Sequence, residues 1–156
     1  MGAPQDRQAG ETPSGRADGA SATLRVIGAA ILVPCFAILA VGAALTPDAR
    51  GYGTHEQLGL PACGFLARTG WPCPSCGLTT SVTNTVHGHI VTAFWVQPFG
   101  VVLCAALALF GVVGLAQLVS GKDIVGKLRP AIWWVWLVIG TFLAGWGFEL
   151  ARRMSM

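Results

Sequence analysis

The chain has 156 residues, enough for one domain, yet only 11% are charged while 53% are hydrophobic. A soluble domain carries about 25% charged residues, so this composition argues against one. The net charge of +3 is small and offers no basic face for nucleic acid.

Charge placement says more than charge count. Residues 26–47, 69–121 and 130–148 contain no Asp, Glu, Lys or Arg. A transmembrane helix needs about 20 mostly apolar residues. The first and third intervals are one span each, and the middle one is too long for a single helix.

In chain order, residues 1–23 are rich in Gly, Ala, Pro, Ser, Asp and Arg and are expected to form a disordered tail. The membrane domain then covers 24–156, with its first span at about 24–45. Pro34 lies inside that span, where membrane helices tolerate a local kink. Its apolar core exceeds the roughly 7–15 residues of a signal peptide, which favours an uncleaved anchor.

Residues 46–98 hold a motif loop and a short helix. The part from Asp48 to Arg68 contains Gly51, Gly53, Gly59, Pro61 and Gly64 and is read as irregular. Leu60, Phe65 and Leu66 are expected to face the membrane surface. The run from Leu78 to Val86 is expected to make about two helical turns, with Thr79, Thr80 and Ser81 as caps or first-turn residues. Gly88 breaks that run, and Gln97-Pro98 precedes the second span at about 99–119. The segment between Cys76 and Pro98 is uncharged but too polar to cross, so a short re-entrant or interfacial helix is expected there.

Lys122, Lys127 and Arg129 mark a loop before the third span at about 131–150, which opens on Trp133, Trp134 and Trp136 as interfacial aromatics. Glu149 is expected to snorkel, with Arg152 and Arg153 following. The fold class is therefore all-α integral membrane with three transmembrane helices. Small-residue pairs at four-residue spacing, Ala40/Ala44 and Gly140/Ala144, are candidates for close helix packing. Arg7, Arg16, Arg25, Lys122, Lys127 and Arg129 on one side outnumber Arg50, Arg68, Arg152 and Arg153 on the other. Lys and Arg favour the cytoplasm, so the tail is expected inside and the cysteine motif outside.

The chemistry centres on 71-WPCPSCGLTTS-81. Cys35 and Cys104 lie in spans and are read as small hydrophobes. Cys63, Cys73 and Cys76 lie together around the motif. A rigid turn or disulfide is one reading, since Pro72 and Pro74 fix φ and Gly77 permits unusual backbone angles. A metal site is the second: Cys63, Cys73, Cys76 and His55 form a Cys₃His set that completes a tetrahedron around zinc. His87 and His89 are further candidate ligands. A redox pair is the third: Cys73 and Cys76 precede a helix, where thiol pKa falls, and Cys63 supplies a third, exchanging thiol. No nucleophile–base set, phosphate loop or dinucleotide fingerprint appears.

The run Cys73-Pro74-Ser75-Cys76-Gly77-Leu78-Thr79, a short helix, a proline near the next span and a long apolar run together resemble a known family. These are the small bacterial membrane proteins grouped as domain of unknown function 2752. Their hallmark is Cys-Pro-x-Cys-Gly-x-Thr-Arg with an Asn-Pro or similar pair before the next helix. The resemblance covers about residues 58–120. Thr80 stands where the family usually has Arg, and Gln97-Pro98 where Asn-Pro is common. The resemblance implies a bacterial protein of the cytoplasmic (inner) membrane and supplies no activity.

The expectation is a multi-pass scaffold or accessory subunit. It would lie in the bilayer with a membrane-protein partner or a second copy of itself, and carry a structural or zinc-stabilised cysteine motif. A membrane thiol–disulfide protein using Cys73 and Cys76 is the alternative.

Overall fold

A computed structural model describes residues 13–128 and 132–154. Among them the chain is helical, with no strand. Seven helices follow in order: α1 (Pro13–Ala44), α2 (Gly64–Thr69), α3 (Leu78–Val86), α4 (Ile90–Val96), α5 (Pro98–Ser120), α6 (Val125–Leu128) and α7 (Ile132–Met154). A 3-10 turn, Thr54–Leu58, lies between α1 and α2.

Three of these helices are long and apolar enough to cross a membrane, over Gly19–Ala44, Pro98–Ser120 and Val135–Arg152. Helix α1 begins at Pro13, inside the stretch expected to be a disordered tail. Ala17, Ala20 and Ala22 are strong helix formers, and extending an existing helix costs far less than nucleating one. Residues 1–12 lie outside those described. The loop expected to be irregular holds two short helical pieces, the 3-10 turn and α2, each closed by a glycine with positive φ.

Helices α1 and α5 run antiparallel and form the main contact of the fold. Their closest approach is at Gly28 and Gly114. A Cβ on Gly28 would stand 2.7 Å from the Gly114 carbonyl oxygen, and one on Gly114 would stand 2.9 Å from that of Gly28. Those neighbours are backbone and cannot rotate away, so any side chain there would push the helices apart. Glycine serves at such contacts because lipid-embedded helices gain from close backbone packing. The pairs expected from spacing are not used: Ala40, Ala44, Gly140 and Ala144 are exposed. Cys35 and Cys104 are buried, as expected of packing cysteines.

Gln117 closes the far end of this pair. Its Nε2 donates to the Leu24 carbonyl at 3.1 Å, and its Oε1 accepts the N–H groups of Ile124 and Val125. That buried amide ties α1, α5 and the loop into α6 together.

At the opposite end, α3 and α4 form a short helical hairpin beside the first turns of α5. Ser81 Oγ lies 2.9 Å from the Ala93 carbonyl and 2.8 Å from that of Gln97, so one hydroxyl joins both helices. Gly100 leaves room for it; a Cβ there would run into Ser81 Oγ. The hairpin turns at Gly88, and its two ends meet where Val96 covers Gly77.

Helix α7 attaches through few contacts. Phe142 meets Phe99 edge-on at 5.2 Å, and Phe148 lies 6.1 Å from Phe94 and 5.8 Å from Trp95. Gly145 lets α7 approach the α4–α5 junction, with its Cβ position 2.7 Å from Gln97 Oε1. Glu149 is only 1% exposed. It is buried by protein, which overturns the expectation that it snorkels: its side chain lies on the inward face of α7, one turn beyond Gly145.

Candidate functional site

The motif loop 71–77 is held from two directions. Trp146 Nε1 on α7 donates to the Pro72 carbonyl at 3.1 Å, and Gln97 Nε2 at the α4–α5 junction donates to the Pro74 carbonyl at 3.3 Å. Both prolines that flank Cys73 are therefore anchored to the membrane helices through their oxygens. Proline has no N–H, so the carbonyl is its only backbone handle. The loop closes on itself through Cys76 N–H to the Cys73 carbonyl at 2.9 Å and Leu78 N–H to the Ser75 carbonyl at 3.1 Å.

Gly77 then caps α3 at φ 79°. A Cβ there would stand 2.9 Å from the Gly51 carbonyl and 3.1 Å from Val96 Cγ1. Both the angle and the space require glycine. Thr79, Thr80 and Ser81 occupy the first turn of α3, as expected, although Gly77 is the cap.

A second wall comes from the loop after α1. Gln57 clamps Thr46 by accepting its N–H and donating to its carbonyl. Thr54 Oγ1 accepts the Asp48 N–H at 3.1 Å and lies 2.8 Å from Thr80 Oγ1 in a buried pair. Thr80 thus joins this loop to α3. Arg50 pairs with Asp48 at 2.7 Å and Glu56 at 3.1 Å, and its guanidinium lies 5.2 Å from the Tyr52 ring. That guanidinium holds the Asp48 carboxyl below the usual carboxylate range, and Asp48 in turn holds Arg50 firmly protonated.

Between the two walls the three cysteines converge. Cys63 Sγ lies 3.5 Å from Cys73 Sγ and 3.4 Å from Cys76 Sγ, and Cys73 and Cys76 are 3.1 Å apart. Cys63 is the residue before α2, Cys73 is in the loop, and Cys76 is buried just ahead of Gly77, the N-cap of α3. Burial pushes the Cys73 thiol up. Hydrogen bonds from Ser75, Cys76 and Cys63 outweigh it and leave Cys73 below the ordinary thiol value. Burial, reinforced by the bonds to Cys73 and Cys63, drives Cys76 far above it. Of that pair, Cys73 gives up its proton first.

These three sulfurs form the cluster of metal-capable donors found among the described residues. His55 lines the same pocket but stands outside the cluster, with its Nε2 3.2 Å from the Pro61 carbonyl. His87 and His89 flank the turn of the hairpin, and His87 Nδ1 is 2.8 Å from the Thr83 carbonyl, so neither joins the cysteines. The pocket has a volume of about 460 Å³ and is lined by all three cysteines together with Arg50, Tyr52, His55 and Glu56.

The donor chemistry fits a metal ion. Zinc–sulfur bonds of about 2.3 Å in a tetrahedron set sulfurs roughly 3.8 Å apart. The observed separations of 3.5, 3.4 and 3.1 Å are shorter than that by about 0.3 to 0.7 Å. Three mutually adjacent thiols can share one ion, and the thiol–disulfide reading is not favoured.

Residues 63–111 match the model of the family described as "Protein of unknown function (DUF2752)". The match contains all three cysteines of the cluster, α2 to α4 and the first half of α5. It agrees with the resemblance carried by the Cys-Pro-x-Cys-Gly-x-Thr run. No curated protein and no solved structure shows significant similarity to the chain.

Trp146 and Gln97 were missed as site residues by sequence reasoning. Trp146 lies 74 residues from the proline it holds, and nothing local to it signals that contact.

Proposed function

We propose that the chain is a multi-pass accessory or scaffold subunit of a bacterial cytoplasmic membrane, with a metal-stabilised cap built on Cys63, Cys73 and Cys76. The observation that carries this reading is the triangle of sulfurs, none more than 3.5 Å from another. Zinc is the first candidate, because thiolate sites suit it without redox chemistry. The ion would tie α2, the motif loop and α3 into one unit, and its binding energy would become folding energy for that cap.

The hairpin of α3 and α4 is read as a re-entrant element. It starts at the motif, runs beside the first turns of α5 and returns to Gly77. Thr80, Ser81, Thr83 and Asn84 are buried, as polar groups at that depth must be. Exposed Leu60, Phe65 and Trp71 support a cap that lies against the headgroup layer. Helix α7 exposes Val135, Trp136 and Val138 to lipid, a second copy or a membrane-protein partner.

Metal analysis of detergent-purified protein tests the reading. About one equivalent of zinc is expected, and Cys63→Ser, Cys73→Ser and Cys76→Ser should each lose it. Less than about a tenth of an equivalent in the unsubstituted protein would sink the metal cap.

A further inference from the structure

The pocket beside the cysteines bears on what kind of metal site this is. A structural zinc site is closed by four protein ligands, whereas a working site keeps one position open. Among the described residues, three protein donors converge here. Of the other ligand-type side chains lining the pocket, His55 holds one ring nitrogen, Nε2, 3.2 Å from the Pro61 carbonyl, and Glu56 Oε2 accepts from Arg50 Nη2 at 3.1 Å.

The triangle also fixes where a fourth ligand would stand. With metal–sulfur bonds of about 2.3 Å, an ion on sides of 3.5, 3.1 and 3.4 Å stands roughly 1.2 Å out of the sulfur plane. Its remaining position points away from the triangle. All three cysteines line one pocket of about 460 Å³, which is large enough for a small molecule.

Resting on the metal reading above, we infer that Cys63, Cys73 and Cys76 form an open three-thiolate site whose fourth position takes an exchangeable small sulfur donor from the pocket. Sulfur is a soft donor of the kind that suits the metals thiolate sites select. Leu60, Ala62 and Leu66 on the pocket wall suit the carbon skeleton of a small thiol, and Ser75 and Thr79 stand among them as polar contacts.

Cobalt(II) substitution in the full detergent-solubilised chain tests this. Sulfur-to-cobalt charge-transfer absorption should appear. The d–d bands should then shift, saturably, on titration with 2-mercaptoethanol, in the unsubstituted protein and in His55→Ala alike. Charge-transfer absorption with d–d bands that 2-mercaptoethanol leaves unmoved overturns the open site. If those bands move only in His55→Ala, His55 closes the site and the inference is again overturned. Absence of charge-transfer absorption refutes the underlying metal reading, and the open site with it.

Discussion

Each cysteine of the cluster has a different environment, and that difference is measurable. Cys76 is 5% exposed and its thiol is held protonated, while Cys73 is half-buried and receives hydrogen bonds that favour its thiolate. The thiolate is the nucleophile, so reactivity follows these two terms. In metal-free protein at neutral pH, iodoacetamide should label Cys73 before Cys76, as read by peptide mass spectrometry over time. Equal rates would mean that the hydrogen bonds to Cys73 do not set its acidity. Gly77 is the other decisive residue. Alanine there meets both a left-handed backbone angle and the Gly51 carbonyl at 2.9 Å. The angle alone costs about 1–3 kcal/mol. Gly77→Ala should therefore lower the melting temperature and reduce bound metal together, whereas Gly59→Ala, with positive φ but open space, should spare the metal. The glycine in the motif was visible in the sequence. What was not visible is that two separate segments close over it.

At the scale of elements, the helices that cross were legible and the way they meet was not. Charge-free intervals marked all three, because lipid leaves no other choice for uncharged stretches of that length. Packing depends on which face turns inward, and in helices apolar all round the sequence carries little record of it. Hence the small-residue seam lies at Gly28 and Gly114, and the pairs that spacing suggested are exposed. The three cysteines, which neighbour one another in the chain, converge in space, whereas His55 lies outside that group of close donors. The support of the motif by α7 is the long-range feature that follows. Trp146→Phe removes one hydrogen bond to Pro72, worth about 0.5–1.5 kcal/mol, and keeps the ring. Zinc retention under chelator challenge should fall several-fold in Trp146→Phe and stay unchanged in Trp136→Phe, whose ring is exposed. If the two variants behave alike, α7 does not position the motif.

The molecule as a whole has two unlike ends. At one, Arg25 approaches Gly121 and Gln117 gathers α1, α5 and the loop into α6. At the other, the motif loop, the hairpin and the C-terminal half of α7 converge, through Gln97 on Pro74 and Trp146 on Pro72. Crossing by all three helices that are long and apolar enough would put the cap and the end of α7 on one side of the membrane, with the start of α1 and the loop 121–128 on the other. The Lys and Arg count favours the cytoplasm for the second side by six to four. On the cap side Arg50 sits in a compact ion-paired group with Asp48 and Glu56. Reporter fusions after Arg68 and Lys122 should therefore report the far side and the cytoplasm, respectively. Arg50→Ala should leave that pattern unchanged, because it removes a positive charge from the side expected outside. A cytoplasmic signal at Arg68 would reverse the topology and place the three thiols in a reducing compartment, where they stay available to a metal without competition from disulfide formation.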